Sequence, residues 1–321
     1  MKRKCMIIVL CCFVVLWFGS ALADDKYPDR PISIIQYAGP GSSSDIVTKV
    51  LIESLKKQLN GTPIVIKYAT GGGGSIALTE LAKSKPDGYT IGVGNMGGLA
   101  VVPNIRKVKY DPLKDFEFHG SYMIFVLGWC VRSDSPYKTF KDLIEAARKN
   151  PGQIRWGNPT PGGFMGLGAA YIEKVEKVRF KNVPFSKATA EAMTALLGGH
   201  IDVMPANPPI MKRFMAAGKI RMLMSISGIR HTDTTKPTLK ELGYDFEQES
   251  YACITSPKGI PENVKKRLDD AVRNAVNDPD YIAATKKMDT PIGYLPGDQF
   301  KKKVESNLKV WGDLFKQNYR F

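Results

Sequence analysis

The chain has 321 residues and a formal charge of +15 at pH 7, with 46 Lys and Arg against 31 Asp and Glu. Hydrophobic residues make up 43% of it, which excludes a disordered chain and fits a globular one. The cations are scattered over helical segments, and the longest run is only Lys301-Lys302-Lys303, so no basic block argues for a nucleic-acid partner; the charge reads as a field favouring anions spread over solvated surface.

The N-terminus has three parts. Lys2, Arg3 and Lys4 are followed by an apolar run from Cys5 to Phe18, then by small residues ending in Ala21-Leu22-Ala23. This is the layout of a secretory signal peptide, with cleavage expected after Ala23. The apolar run is short of the ~20 residues that span a bilayer, so an uncleaved anchor is the weaker reading. Cys5, Cys11 and Cys12 leave with this segment. Cys130 and Cys253 stay, either as a disulfide in an oxidising compartment or as two buried thiols.

The roughly 300 residues that remain are enough for two domains. Strand-like and helix-like segments alternate along them. Ile32–Tyr37 reads as a strand, Ser44–Leu59 as a helix, Ile64–Ile66 as a strand, Ser75–Lys83 as a helix and Tyr89–Val93 as a strand. This order predicts a parallel sheet with crossover helices. One apolar strand is expected over Phe125–Val131. The pattern then restarts, with helices over 140–149, 164–175, 188–197 and 210–217 between strands at 154–156, 178–183, 201–204 and 220–226. A strand at 252–254 and helices over 262–276, 279–287 and 298–317 close the chain.

Ligands of open α/β sheets sit beyond the carboxyl ends of the strands, which directs attention to the loop after each strand. Four such loops are rich in Gly, Ser, Thr and Asn: Ala38 to Asp45, Thr70 to Ser75, Gly94 to Gly98, and Gly157 to Gly163. Glycine lets backbone N–H groups approach a ligand, and helix N-termini add unpaired donors and partial positive charge. One such loop would be ordinary helix capping. Four of them, in both halves, read as a cradle for an anion such as a carboxylate. Gly92-Val93-Gly94-Asn95-Met96-Gly97 imitates a dinucleotide fingerprint, but it comes after the third strand and Pro103 cuts the next helix short. The histidines His119, His200 and His231 have no partner at metal-ligand spacing, and no G-x-S-x-G elbow is present. No cofactor, metal or catalytic residue is therefore expected, although sequence leaves a Ser-His-Asp triad assembled in space open.

Several strings resemble the Bug, or TctC-like, periplasmic binding proteins, receptors of tripartite tricarboxylate transporters: Tyr27-Pro28-Asp29-Arg30-Pro31-Ile32, Pro86-Asp87-Gly88-Tyr89-Thr90, Tyr110-Asp111-Pro112-Leu113-Lys114-Asp115-Phe116, Val183-Pro184-Phe185 and Leu197-Gly198-Gly199-His200-Ile201-Asp202. The resemblance runs through the mature chain in order. It implies an α/β, two-lobed type II periplasmic-binding-protein fold with a ligand cleft between lobes. Residues 24–133 and 249–321 would form lobe 1, and 134–248 lobe 2. It also implies a monomeric receptor for a small carboxylate that serves integral membrane transporter subunits; a sensing module, or less so an enzyme on the same scaffold, is the alternative. Carried onto this chain, the ligand-binding candidates are Tyr37, Ala38, Ser43, Ser44, Asp45, Gly73, Gly74, Ser75, Asn95 and Met96 from lobe 1. Lobe 2 would add Asn158, Thr160, Gly163, Phe185 and Asn207. Members often have Tyr where Phe185 stands, and many have Asp where Ala206 stands; the lost carboxylate argues against a ligand with an amino group.

Overall fold

The computed structural model describes residues 27–159, 164–185, 189–230, 235–246 and 248–315. The predicted signal segment, Thr160, Gly163 and His231 lie outside the described residues. No helix among those described is long and apolar enough to cross a membrane.

Lobe 1 is built on a five-stranded sheet. Strand β1 (Ile32–Gln36) leads into helix α1 (Ser43–Gln58), β2 (Ile64–Tyr68), a 3-10 turn at Gly72–Gly74, α2 (Ser75–Ala82) and β3 (Thr90–Asn95). As predicted, β1 pairs in parallel with β2 on one side and β3 on the other. Helix α1 buries Val47, Leu51 and Leu55 at helical spacing against the sheet, and Ser42 caps it by accepting from the Asp45 N–H at 3.2 Å. After β3 a tight π turn at Gly97–Val101 runs into the one-turn helix α3 (Val102–Ile105), and Pro103 sits at its start. The full helix that a dinucleotide fingerprint requires is absent from this place.

Strand β4 (Phe116–Phe125), which sequence patterning did not single out, lies at the edge of this sheet. It pairs antiparallel with β10 (Ser250–Pro257), which itself pairs antiparallel with β3. The chain then changes sheet. The apolar run expected as one strand breaks at Val126–Leu127, and β5 (Gly128–Arg132) hydrogen-bonds to β8 (Met204–Ala206) and β9 (Ile220–Ser225) of a second, three-stranded sheet. The first crossing is thus at 126–127 and not near Ser133, because the backbone of β5 finds its partners in lobe 2. The chain re-enters the five-stranded sheet at β10, which begins at Ser250.

Lobe 2 also holds α4 (Phe140–Lys149), β6 (Arg155–Asn158), a 3-10 turn at Phe164–Gly166, α5 (Leu167–Glu176), β7 (Lys181–Pro184), α6 (Thr189–Leu197) and α7 (Pro208–Ala216). Strands β6 and β7 pair in parallel, and the bridge Trp156 to Val203 joins them to the three-stranded sheet. Trp129 is fully buried here, its ring 5.8 Å from Phe140, 6.1 Å from Trp156 and 5.8 Å from Phe180. Burying one such side chain is worth roughly 4–6 kcal/mol of transfer free energy. Cys130 and Cys253 are buried free thiols in different sheets, and burial pushes the Cys130 thiol up to about 12.

Helices α8 (Glu262–Val276), α9 (Pro279–Lys287) and α10 (Gly297–Phe315) return to lobe 1. Trp311 of α10 packs its ring 5.6 Å from Phe164 of lobe 2. The early motif Tyr27 to Arg30 closes on the motif at 86–90: the Tyr27 hydroxyl donates to the Gly88 carbonyl at 2.7 Å, the Tyr89 hydroxyl to Asp29 at 2.6 Å, and Arg30 meets Asp87 at 3.0 Å while lying over the Tyr89 ring. These two strings, distant in sequence, form one clasp that ties down the start of the folded chain.

Candidate functional site

The first loop is organised from beneath by Gln36, the last residue of β1. Its side chain is fully buried; its oxygen accepts from the Ala38 N–H at 3.3 Å and from the Ser44 hydroxyl at 3.4 Å, and its nitrogen donates to Thr48 at 2.9 Å. Thr48 in turn meets the Tyr122 hydroxyl at 2.7 Å. Gln36 was not among the sequence candidates; the available signal was a polar residue closing an apolar strand just before a Gly-rich turn. Tyr37 is half-buried, and burial pushes its hydroxyl up to about 12 against a hydrogen bond with Ser44.

Asp45 holds the loop from the other side. Its enclosed carboxylate accepts from the Gly41 N–H at 2.8 Å, from Lys49 at 2.8 Å and from the Tyr68 hydroxyl at 2.7 Å. Burial alone would raise its pKa, but these three donors together hold it below the usual carboxylate range. Its oxygens are therefore spent on the protein, and Asp45 acts as a brace for Gly41 and α1. Asp45→Asn should cost about 2–3 kcal/mol, because Lys49 and the Gly41 N–H lose a charged acceptor. Urea unfolding at pH 7 measures this, and a loss below about 0.5 kcal/mol, the scale of a neutral surface change, would show the brace to be idle.

The second loop holds four consecutive glycines at positive φ: Gly71 at 109°, Gly72 at 61°, Gly73 at 65° and Gly74 at 101°. Gly74 opens α2 with no side-chain cap; its own N–H donates to the Gly71 carbonyl at 3.1 Å and the Ser75 N–H donates to the Gly72 carbonyl. Asn95, at the end of β3, joins this loop to the third. Its nitrogen donates to the Gly73 carbonyl at 3.3 Å and its oxygen accepts from the Gly98 N–H at 3.3 Å. Met96 beside it is buried, its sulfur 3.6 Å from the Asn307 amide nitrogen. Arg106, from beyond α3, donates to the Gly72 carbonyl and lies 3.3 Å from the Ser75 hydroxyl. No arginine lies within the loops themselves, so nothing in their sequence announces this cation; the fold supplies it from 34 residues away.

Lobe 2 meets these loops directly. Asn207, buried at the head of α7, accepts a hydrogen bond from the Ser43 hydroxyl at 2.9 Å, and Ser43 is itself buried. Asn207 also lines a small pocket at the crossing, of about 10 Å³, together with Met123 to Val126, Pro208, Asp289 and Thr290. Phe164 comes within 3.6 Å of where a β-carbon on Gly97 would stand, and its carbonyl accepts from Gln248, a fully buried residue of the return crossing that sequence patterning did not single out. Asn158 is buried, and its carbonyl accepts from the Phe185 N–H at 2.9 Å; Phe185 is half-buried beside Gly157. Ser43 and Asn207 thus meet across the lobes and Asn95 joins the second loop to the third, whereas Asp45 is turned into lobe 1.

The histidines give one constellation of a different kind. His119 is buried with Nδ1 at 2.6 Å from Asp269 and Nε2 at 2.9 Å from the Ser256 hydroxyl. This has the connectivity of a catalytic triad, but Ser256 has no exposed surface, so a substrate has no approach to the hydroxyl. Among the described residues no group of three or more His, Cys, Asp or Glu is placed to hold a metal ion.

Comparison with known proteins agrees with this architecture. A Cupriavidus necator protein described as a UPF0065 protein in the gbd 5′ region is 31% identical over 286 residues, spanning 89% of this chain and 86% of its own. Two solved structures superpose over 91% of this chain and 98% of theirs at 28% identity: a periplasmic transporter with a TM-score of 0.84 and the periplasmic binding protein BugD with 0.82. The family model for the tripartite tricarboxylate transporter family receptor matches residues 47–319. With that match over most of its length, an α/β fold in two lobes and Gly-rich loops at their junction, this chain belongs to the tripartite tricarboxylate transporter receptor family.

Proposed function

We propose that this chain is an exported receptor that captures a small carboxylate between its lobes and delivers it to the integral membrane subunits of a tripartite transporter. Residues 1–23 are its cleaved signal, the mature protein works in the periplasm as a monomer, and it performs no catalysis. The observation that carries the reading is the bond across the lobes from Ser43, at the start of α1, to Asn207, beside a Gly-rich second loop that Asn95 ties to the third. The start of α1 lies at Asn207 and the start of α2 at Asn95, each with a helix-dipole field behind it, and Arg106 adds positive charge at the second loop. Within this reading Ala38, Ser43, Ser44, Gly73, Gly74 and Ser75 hold one carboxylate of the ligand. Tyr37 and Phe185 wall its apolar body, Asn95 and Met96 fix the loops, and Asn158 and Asn207 close from lobe 2. Asp45 serves by bracing. Thr160 and Gly163, the remaining candidates that the family resemblance offers, lie outside the described residues.

The test is a thermal-shift and calorimetric screen of the mature protein against C4 to C6 dicarboxylates, citrate and benzoate, with sugars, amino acids and nucleotides as controls. A true ligand at a hundredfold excess over Kd stabilises by about 2.7 kcal/mol. Stabilisation confined to acids is the expected result. A response to sugars or nucleotides, with none to any acid, would refute the assignment.

A further inference from the structure

Lobe 2 carries a second chemical face, at the end away from the cleft. Strands β6 and β7 run in parallel, with Arg155 beside Lys181 at their starts and Asn158 beside Pro184 at their ends. Asn158 and Phe185 therefore lie about 10 Å along the strands from Lys181. Helices α4 and α5 finish at the strand-start end: the Gly152 N–H, just past α4, donates to the Arg179 carbonyl at 2.8 Å, and Arg148 pairs with Glu176. From 148 to 181 the chain has seven Lys and Arg and only two acids, Glu173 and Glu176, and both acids are already engaged. Glu176 holds Arg148 and accepts from the Tyr244 hydroxyl at 2.5 Å, and Glu173 accepts from the Phe180 N–H at 2.7 Å. Arg155 is matched by Asp202. Asp245, on the segment whose Phe246 stacks on Tyr171 of α5, is turned to Tyr171. Lys149, Lys177, Arg179 and Lys181 are exposed, and none of them pairs with an acid among the described residues.

Attraction to a helix C-terminus accounts for Lys149 and Lys177, which end α4 and α5, but not for Arg179 on the turn or Lys181 in β7. The free cations come from separate elements, and Val175, 42% exposed, stands among them on the last turn of α5. We propose that this face docks on an anionic phospholipid surface, with its cations against the phosphate headgroups and Val175 between them. Cations dispersed over separate elements, with an apolar side chain in their midst, match a plane of headgroups better than the single line of charge that an acidic protein segment offers. Held in this way the protein keeps its cleft, at the other end of β6 and β7, clear of the lipid, and its search for a membrane partner is confined to the bilayer plane. The inference uses neither the identity of the ligand nor that of the transporter, so it stands apart from the receptor reading.

Co-sedimentation of the mature protein with lipid vesicles is the test. At low salt the protein is expected to bind vesicles of phosphatidylglycerol mixed with phosphatidylcholine and to ignore phosphatidylcholine alone. Binding should fade towards about 0.5 M NaCl as the charges are screened. The combined variant Lys149→Gln, Lys177→Asn, Arg179→Gln and Lys181→Gln should lose vesicle affinity by about a hundredfold or more, at about fivefold per cation. Asparagine suits position 177, where φ is 53°. The control, Lys286→Gln, Lys287→Gln, Lys301→Gln and Lys302→Gln, removes the same charge from exposed positions of α9 and α10 and should keep most of the binding. A wild type that ignores phosphatidylglycerol, undiminished binding in the first variant, or equal losses in the two variants overturns the proposal. A preference for soluble polyglutamate over the vesicles at equal charge would give the face to an acidic protein segment and overturns it as well.

Discussion

Gly74→Ala is expected to lose dicarboxylate affinity by about a hundredfold or more and to unfold several degrees earlier than wild type. Gly74 stands at φ 101°, where a side chain is strained, and its β-carbon would lie 2.3 Å from the Asn95 side-chain oxygen. Asn95 has no room to yield cheaply. It is 7% exposed, and swinging away would surrender both the bond to the Gly73 carbonyl and the one from the Gly98 N–H. Left-handed strain costs about 1–3 kcal/mol and overpacking a similar amount. At about 2–4 °C per kcal/mol for a protein of this size class, the melting temperature should drop by roughly 5–15 °C. On the proposed reading the affinity falls because the second loop shifts as a unit, and each charge-assisted hydrogen bond to a ligand is worth about 1.5–3 kcal/mol. Gly218→Ala is the control: it has φ +64° too, but nothing lies within 4 Å of the added carbon. It should share part of the stability loss and none of the affinity loss. Wild-type affinity in Gly74→Ala would remove the second loop from the binding site.

The contrast between these two glycines shows what a sequence can and cannot disclose. The run Gly71 to Gly74 announces a turn that only glycine can make, and α1, α8 and α9 announce themselves by caps and helical spacing; α8 and α9 have the bounds that their patterns predict. What escapes is whatever depends on a distant partner. Strand β4 hides because Glu117, His119 and Ser121 interrupt its apolar pattern, and the partners that satisfy two of them, Asp269 and Ser121's acceptor Gly293, come from segments more than 100 residues away. Strand β5 reads as the continuation of β4 because both are apolar; only hydrogen bonding to β8 and β9 assigns it to lobe 2. Gln36, Arg106 and Gln248 are ordinary polar residues in sequence and become supports of the site through Ala38, Gly72 and Phe164. Family resemblance makes both Ser43 and Asn207 candidates, but the bond between them is visible only in three dimensions.

The same dependence on remote partners governs the second large effect, at His119. This residue of β4 bridges Ser256 of β10 and Asp269 of α8, and Lys265 joins Asp269 at 2.5 Å, so one imidazole ties the antiparallel half of the sheet to the helix that covers it. An ionised Asp269 accepts from a proton on Nδ1, and Nε2 meets the Ser256 hydroxyl on the other side of the ring. Burial would raise the Asp269 pKa, but the hydrogen bonds from His119 and Lys265 outweigh it and hold the carboxyl below its usual range. A carboxyl depressed on folding stabilises the native state above its unfolded pKa of about 4, and that contribution fades as pH falls through the lower folded value. His119→Leu should therefore cost about 2 kcal/mol at pH 7, since a half-buried carboxylate that keeps Lys265 and a buried hydroxyl each lose one partner. Asp269→Asn should cost less at pH 7, and its deficit relative to wild type should shrink below about pH 4, where the wild-type carboxyl takes up its proton. Urea titrations from pH 3 to 8 measure both. Neither change should alter dicarboxylate affinity at a temperature where the protein stays folded, because these groups belong to β4, β10 and α8 of lobe 1 and not to the loop that meets Asn207. A deficit for Asp269→Asn that is constant with pH would mean that the carboxylate's charge contributes nothing to the bridge. A loss of binding without a loss of stability would mean that this triad serves the cleft and not the fold.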